Sequence, residues 1–126
     1  MELASLGCRT DLFFHRFEGE VTDRGDYLVV RTPSNPTYRW GNFLLFDRPP
    51  GEGDFGRWTE LFALEVGEPP MTEHMVFSWD ATGGEPGYVL PFLEAGFALD
   101  ESVVFATDRV QLPPKVNHEV VLRPLT

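Results

Sequence analysis

The stretch Asp47-Arg48-Pro49-Pro50-Gly51-Glu52-Gly53-Asp54 places an arginine and two glycines in the spacing R-x-x-G-x-G. Residues of these types can hold a phosphate. Glycine lets backbone N–H groups come close to an anion, a following helix offers the positive end of its dipole, and arginine adds a full charge. Arg48, Gly51, Gly53 and Asp54 are therefore the candidate cofactor-binding residues. The same string also has a purely structural reading, because a Gly/Pro loop with Asp54 as the N-cap of a helix needs no ligand. Glu52 and Asp54 put two carboxylates where two phosphates would lie, and at about 4 Å such a like-charge contact costs on the order of 1–4 kcal/mol, depending on exposure. Pro49 and Pro50 withdraw two N–H donors from the cradle.

Proton transfer needs further groups. Glu73 and His74, at the start of an expected strand, are candidates for a general base acting on an amine. Tyr88 is a candidate proton donor. The alternatives are solvated residues at a strand end and a packing tyrosine with its hydroxyl at the surface. No metal site is expected. His15 and His118 lie far apart without ligand spacing, and Cys8, the single cysteine, supports neither a cysteine cluster nor an internal disulfide.

The elements that must position these residues follow from local pattern. Leu12, Phe13, Phe14 and Phe17 suggest a short helix over 10–17, with the approach to a strand as the alternative. Asp23-Arg24-Gly25-Asp26 is a turn between strands over 18–22 and 27–32, an antiparallel hairpin. After the loop Pro33-Ser34-Asn35-Pro36, a third strand over 40–47 is nearly continuous in apolar residues, as suits a central strand covered on both faces. It runs into the glycine loop. Phe55, Trp58, Leu61, Phe62 and Leu64 then recur at three- and four-residue steps, predicting a helix that ends at Gly67. A strand over 75–79, a helix over 87–95 stopping at Gly96, and a strand over 101–107 complete the expected core. Beyond it, Pro113-Pro114 marks a semi-rigid linker over 111–118, and 119–126 reads as one more strand. The order predicts a mixed α/β (α+β) domain over 1–110.

A chain of 126 residues is long enough for one domain with a real core. Hydrophobic residues at 42 % and aromatics at 13 % supply the apolar surface that ordering a chain requires. A net charge of −10 sets up a field that repels nucleic acid and anionic lipid, so neither is an expected partner. The same field opposes a polyanionic cofactor unless a local cation or helix N-terminus counters it. The start, MELASLGCRT, lacks a signal-peptide pattern, no run of about 18 apolar residues occurs, and a cytoplasmic location is the expectation.

The order of elements, an antiparallel meander followed by strand, glycine loop, helix, strand, helix and strand, resembles the GNAT superfamily of acyl-coenzyme A dependent N-acyltransferases. Arg48-Pro49-Pro50-Gly51-Glu52-Gly53 is similar to its [Q/R]-x-x-G-x-[G/A] loop. Phe92-Leu93-Glu94-Ala95-Gly96-Phe97 is similar to its Tyr-x-x-x-Gly-Phe helix ending. The resemblance covers about residues 10–108. Glu119-Val120-Val121-Leu122-Arg123-Pro124-Leu125-Thr126 resembles the opening strand of a second GNAT domain, as in tandem members of the superfamily.

The resemblance implies acetyl-coenzyme A as the cofactor, with Arg48, Gly51 and Gly53 on its pyrophosphate. It implies a second GNAT-like domain or a second copy of the chain as partner. Two departures bear on activity. Phe92 stands where the superfamily often has a tyrosine that protonates the leaving thiolate, and phenylalanine has no proton to give. The loop carries the prolines and acids described above. The sequence therefore favours a non-catalytic, degenerate half of an acyltransferase. The alternative is an acetyl-coenzyme A dependent N-acetyltransferase acting on a small-molecule or peptide amine, with Tyr88 or water completing proton transfer. A third reading is a small-molecule binding module that takes no coenzyme A.

Overall fold

Ser5 opens the first helix, α1 (Leu6–Glu18), by accepting the Cys8 N–H on its hydroxyl at 3.2 Å, and the Gly19 N–H closes it on the His15 carbonyl. The computed structural model describes residues 1–109, 114, 115, 119, 121, 123 and 124. Helix α1 is longer at both ends than the expected 10–17, because its caps lie outside the apolar cluster that signals it. Strands β1 (Glu20–Asp23) and β2 (Tyr27–Arg31) form the expected hairpin, with Asp23 opposite Leu28. Its turn is fixed by the Asp23 carboxylate, which accepts the Gly25 N–H at 2.8 Å while Gly25 takes a φ of 101° that favours glycine.

Strand β3 (Phe43–Phe46) is shorter than the expected 40–47, since Arg39–Gly41 form a single 3₁₀ turn before it. It pairs antiparallel with β2 and parallel with β4 (Phe77–Trp79), giving a four-stranded mixed sheet in the order β1-β2-β3-β4. Helix α2 (Asp54–Glu65) makes the crossover between β3 and β4, and α3 (Leu90–Glu94) follows β4. The fold is α+β, as expected.

Alternation along β2 and β3 builds two cores. Tyr27, Val29, Leu44 and Phe46 face Trp58 and Phe62 of α2 and Phe92 of α3. Leu28, Val30, Phe43 and Leu45 face the other way, onto Leu12 of α1. Trp58 stacks on Phe46, with centroids 3.8 Å apart and planes within 5°. Each fully buried side chain of this size contributes roughly 1.5–3 kcal/mol relative to exposure.

Helix α3 is shorter than the expected 87–95 because Gly87 holds a φ of 68°, outside helical space. Its end shows what Phe92 to Phe97 do locally. Gly96 takes a φ of 97°, its N–H bonds the Leu93 carbonyl, and the Phe97 N–H bonds the Phe92 carbonyl. That is a Schellman stop, and the ring contact between Phe92 and Phe97 at 5.6 Å is its usual apolar companion.

The expected strand over 101–107 is not formed, and those residues have no regular secondary structure. Among the described residues β4 ends the sheet on that side, so the apolar run Val103-Val104-Phe105 has no strand to pair with. Val104 instead lies against Gly7 of α1, and Phe105 is 90 % exposed. The expected linker over 111–118 and strand over 119–126 fall mostly outside the described residues.

Candidate functional site

The glycine loop joins β3 to α2 at the carboxyl end of the parallel strand pair. Gly53, with a φ of 80°, is the N-cap of α2, and Asp54 is the first helical residue. The sequence pattern predicts Asp54 itself as the cap. The left-handed turn at Gly53 carries the carboxylate back over the loop instead, where Asp54 Oδ2 accepts the Gly51 N–H at 2.7 Å and a hydrogen bond from Arg48 Nη1 at 2.6 Å. The Asp54 side chain is 7 % exposed, with Arg57 Nη1 at 4.0 Å on its other oxygen. Burial works to raise its pKa, but the Arg48 and Gly51 hydrogen bonds and the charges of Arg48 and Arg57 outweigh it and hold the carboxyl below its ordinary value. Arg48 is held above its usual range, chiefly by that same hydrogen bond.

The loop thus carries its own anion. Arg48 and the Gly51 N–H, two of the groups a diphosphate would use, are bonded to the carboxylate of Asp54 at the end of the same loop. Arg57 is turned toward Asp26 Oδ2 at 2.6 Å. The far wall is closed as well. The Tyr88 N–H bonds the Pro50 carbonyl at 2.7 Å, and Gly87 packs so tightly that a Cβ there would meet Pro50 O at 2.5 Å and Pro49 Cβ at 2.7 Å.

Tyr88 is brought beside the loop through its backbone, with its side chain 47 % exposed. Phe92 is 7 % exposed and sits edge-on to Phe55 at 5.1 Å, so this position serves the core. Glu73 and His74 are not brought to the loop. The His74 ring nitrogen Nε2 lies 3.1 Å from the Asn42 carbonyl, and its ring packs edge-on to Phe62. Asn42 precedes β3 whereas Arg48 follows it, so the two places are separated by roughly 20 Å of extended chain. Glu73 and His74 line a shallow cleft of about 380 Å³ with Thr37, Arg39 and Pro70 at that opposite end of the sheet.

Two structural polar residues escaped the sequence reading in this role. Asn42, 3 % exposed, accepts the Thr32 N–H and donates to the Asn35 and Tyr38 carbonyls, fixing the loop that carries Arg39. Asp80 accepts the Ala4 and Ser5 N–H groups at 2.5 and 2.9 Å, tying the start of α1 to the end of β4. Its type fits a turn residue, and only the tertiary fold reveals a partner 75 positions away in the chain. Beside it a second cleft of about 440 Å³ lies between the start of α1, Gly83-Gly84 and residues 101–104. Among the described residues no three of His, Cys, Asp and Glu converge as a metal ion would require. No described helix is long and apolar enough to cross a membrane.

No protein-family model matches the chain, and no match to a curated protein or to a solved structure was found.

Proposed function

We propose that this chain is a GNAT-like domain in a non-catalytic role, the degenerate half of an acyltransferase that works beside a second GNAT-like domain or a second copy of itself. The observation that carries the reading is Asp54, whose carboxylate holds the Gly51 N–H and the Arg48 guanidinium. A diphosphate entering there would have to displace a buried, ion-paired carboxylate while facing its charge, and the energy that held phosphate would first be spent on that exchange. Proton transfer is also poorly served. Phe92 is a core residue, and Glu73 and His74 stand at the other end of the sheet.

A second reading, an acetyl-coenzyme A dependent N-acetyltransferase of a small-molecule or peptide amine, is favoured by one feature. Gly53 keeps a left-handed turn at the N-terminus of a 12-residue helix, with nothing within 4 Å of where a Cβ would be. Calorimetric titration with acetyl-coenzyme A decides between them. The non-catalytic reading predicts no saturable heat at millimolar cofactor. Micromolar binding that Gly53→Glu abolishes would establish the second reading in its place.

A further inference from the structure

Helix α1 carries apolar residues on both sides. Its Leu12 is buried in the core under the sheet, with Cys8 and His15 half-buried on the same side. On the opposite side Leu6, Phe13, Phe14 and Phe17 are 52, 69, 60 and 88 % exposed. At about 100° per residue these four fall within one sector of roughly 100°, centred about 150° round the helix from Leu12. Surface phenylalanines scattered singly need no explanation, but three on one helix face form a patch.

The charges beside the patch are sorted. Arg9 and Arg16 lie along one flank and Asp11 and Glu18 along the other, all four exposed. The two flanks are offset along the helix by two residues, about 3 Å. If two copies of α1 meet face to face about a two-fold axis parallel to the helices, the basic flank of each lies beside the acidic flank of the other. Arg9 then approaches Asp11 of the second copy, and Arg16 approaches Glu18. An antiparallel pairing would set arginine against arginine. The pattern is therefore self-complementary in one orientation only.

The area is of the right size. The exposed parts of the three phenylalanines and Leu6 amount to roughly 500 Å² per copy, so two copies would bury about 1,000 Å², the lower limit for a specific interface. We propose that the outer face of α1, built on Leu6, Phe13, Phe14 and Phe17, is the docking surface for a second copy of this chain, with the two α1 helices parallel. This face lies across the sheet from α2 and the glycine loop, so a negative result here leaves the chemistry of the loop untouched, and the converse holds as well.

Sedimentation equilibrium of the 126-residue chain in about 0.15 M salt, where screening limits repulsion between two acidic molecules, tests the proposal. A dimer is expected at micromolar concentration, with dissociation raised at least tenfold by Phe17→Asp and dimerisation abolished by Phe13→Asp with Phe17→Asp. Both side chains are exposed, so the variants keep the wild-type unfolding transition, which controls for misfolding. Arg16→Glu weakens the dimer, and adding Glu18→Arg restores it. A chain that stays monomeric at all concentrations overturns the proposal, as does a dimer indifferent to Phe17→Asp. A dimer that Arg16→Glu tightens would overturn the parallel arrangement. A monomer that instead sediments with zwitterionic lipid vesicles would assign the face to a membrane surface and overturn the pairing.

Discussion

Replacing Asp54 by alanine removes the carboxylate that holds the glycine loop in place. Two interactions are lost, and they differ in weight. The ion pair with Arg48 is short at 2.6 Å, but the arginine side chain is 53 % exposed and returns to water freely, so that part is worth about 0–1 kcal/mol. The charge-assisted hydrogen bond from the Gly51 N–H, 2.7 Å long, acts like a helix cap in a more buried setting and is worth about 1–2 kcal/mol. The expected loss is therefore about 1–3 kcal/mol at pH 7, and Asp54→Asn, which keeps an acceptor for the N–H, loses roughly half of it. Urea unfolding followed by tryptophan fluorescence measures the loss, since Trp58 lies fully buried on the helix that this loop leads into.

The pH dependence provides a second readout with a definite sign. Burial acts to raise the Asp54 pKa, but its hydrogen bonds and neighbouring arginines lower it on balance. A carboxyl whose folded pKa lies below its unfolded value of about 3.9 gives its full stabilisation above that value and loses it as pH falls toward the folded pKa. The gap between wild type and Asp54→Ala should be constant near neutrality and shrink below about pH 4. An alanine variant within about 0.3 kcal/mol of wild type at pH 7, or a gap that does not change between neutral and acid pH, would refute the reasoning.

Three further outcomes follow from the structure. Gly87→Ala forces a Cβ onto Pro49 and Pro50 at a φ of 68°, and should lower stability by about 1–3 kcal/mol, seen as a fall in Tm. Phe62→Ala empties the centre of the α2 core, where Phe62 is fully buried, and should cost about 3–5 kcal/mol in chemical denaturation. The Tyr27 hydroxyl donates to Glu65 at 2.9 Å, and burial first, then that bond and the Glu65 charge, raise its pKa above the ordinary phenol value. Ultraviolet titration should therefore show Tyr27 ionising above the ordinary phenol value, and Glu65→Gln should bring it down.

The parts of the fold legible in the sequence are those specified by local chemistry. The hairpin could be read because Gly25 and two aspartates mark its turn between β-branched runs, and α2 because Trp58, Leu61 and Phe62 keep a helical period. The strand expected over 101–107 failed for a physical reason. Val103, Val104 and Phe105 have strand propensity, but a strand is made by ladder bonds to a neighbour, and none of the described strands lies beside them. Asp54 illustrates the limit at the site. Its type announced a helix start, yet whether it capped the helix or folded back over the loop depended on the φ of Gly53. Glu73 and His74 carried suitable chemistry, but only the register of β3 and β4 shows that they stand at the wrong end of the sheet to serve the loop. The outer face of α1 was readable as a cluster of phenylalanines, though not as a surface, because a helix with apolar residues on both sides gives no sign of which side the core will take.

In the glycine loop the chain's own Asp54 carboxylate takes the Gly51 N–H and Arg48 that an anion would need. Amide NMR of the glycines during an acetyl-coenzyme A titration addresses it most directly. A Gly51 resonance shifted downfield by its bond to Asp54 is expected, with Gly51 and Gly53 unmoved at millimolar cofactor. Saturating shifts of both resonances at micromolar cofactor would contradict it.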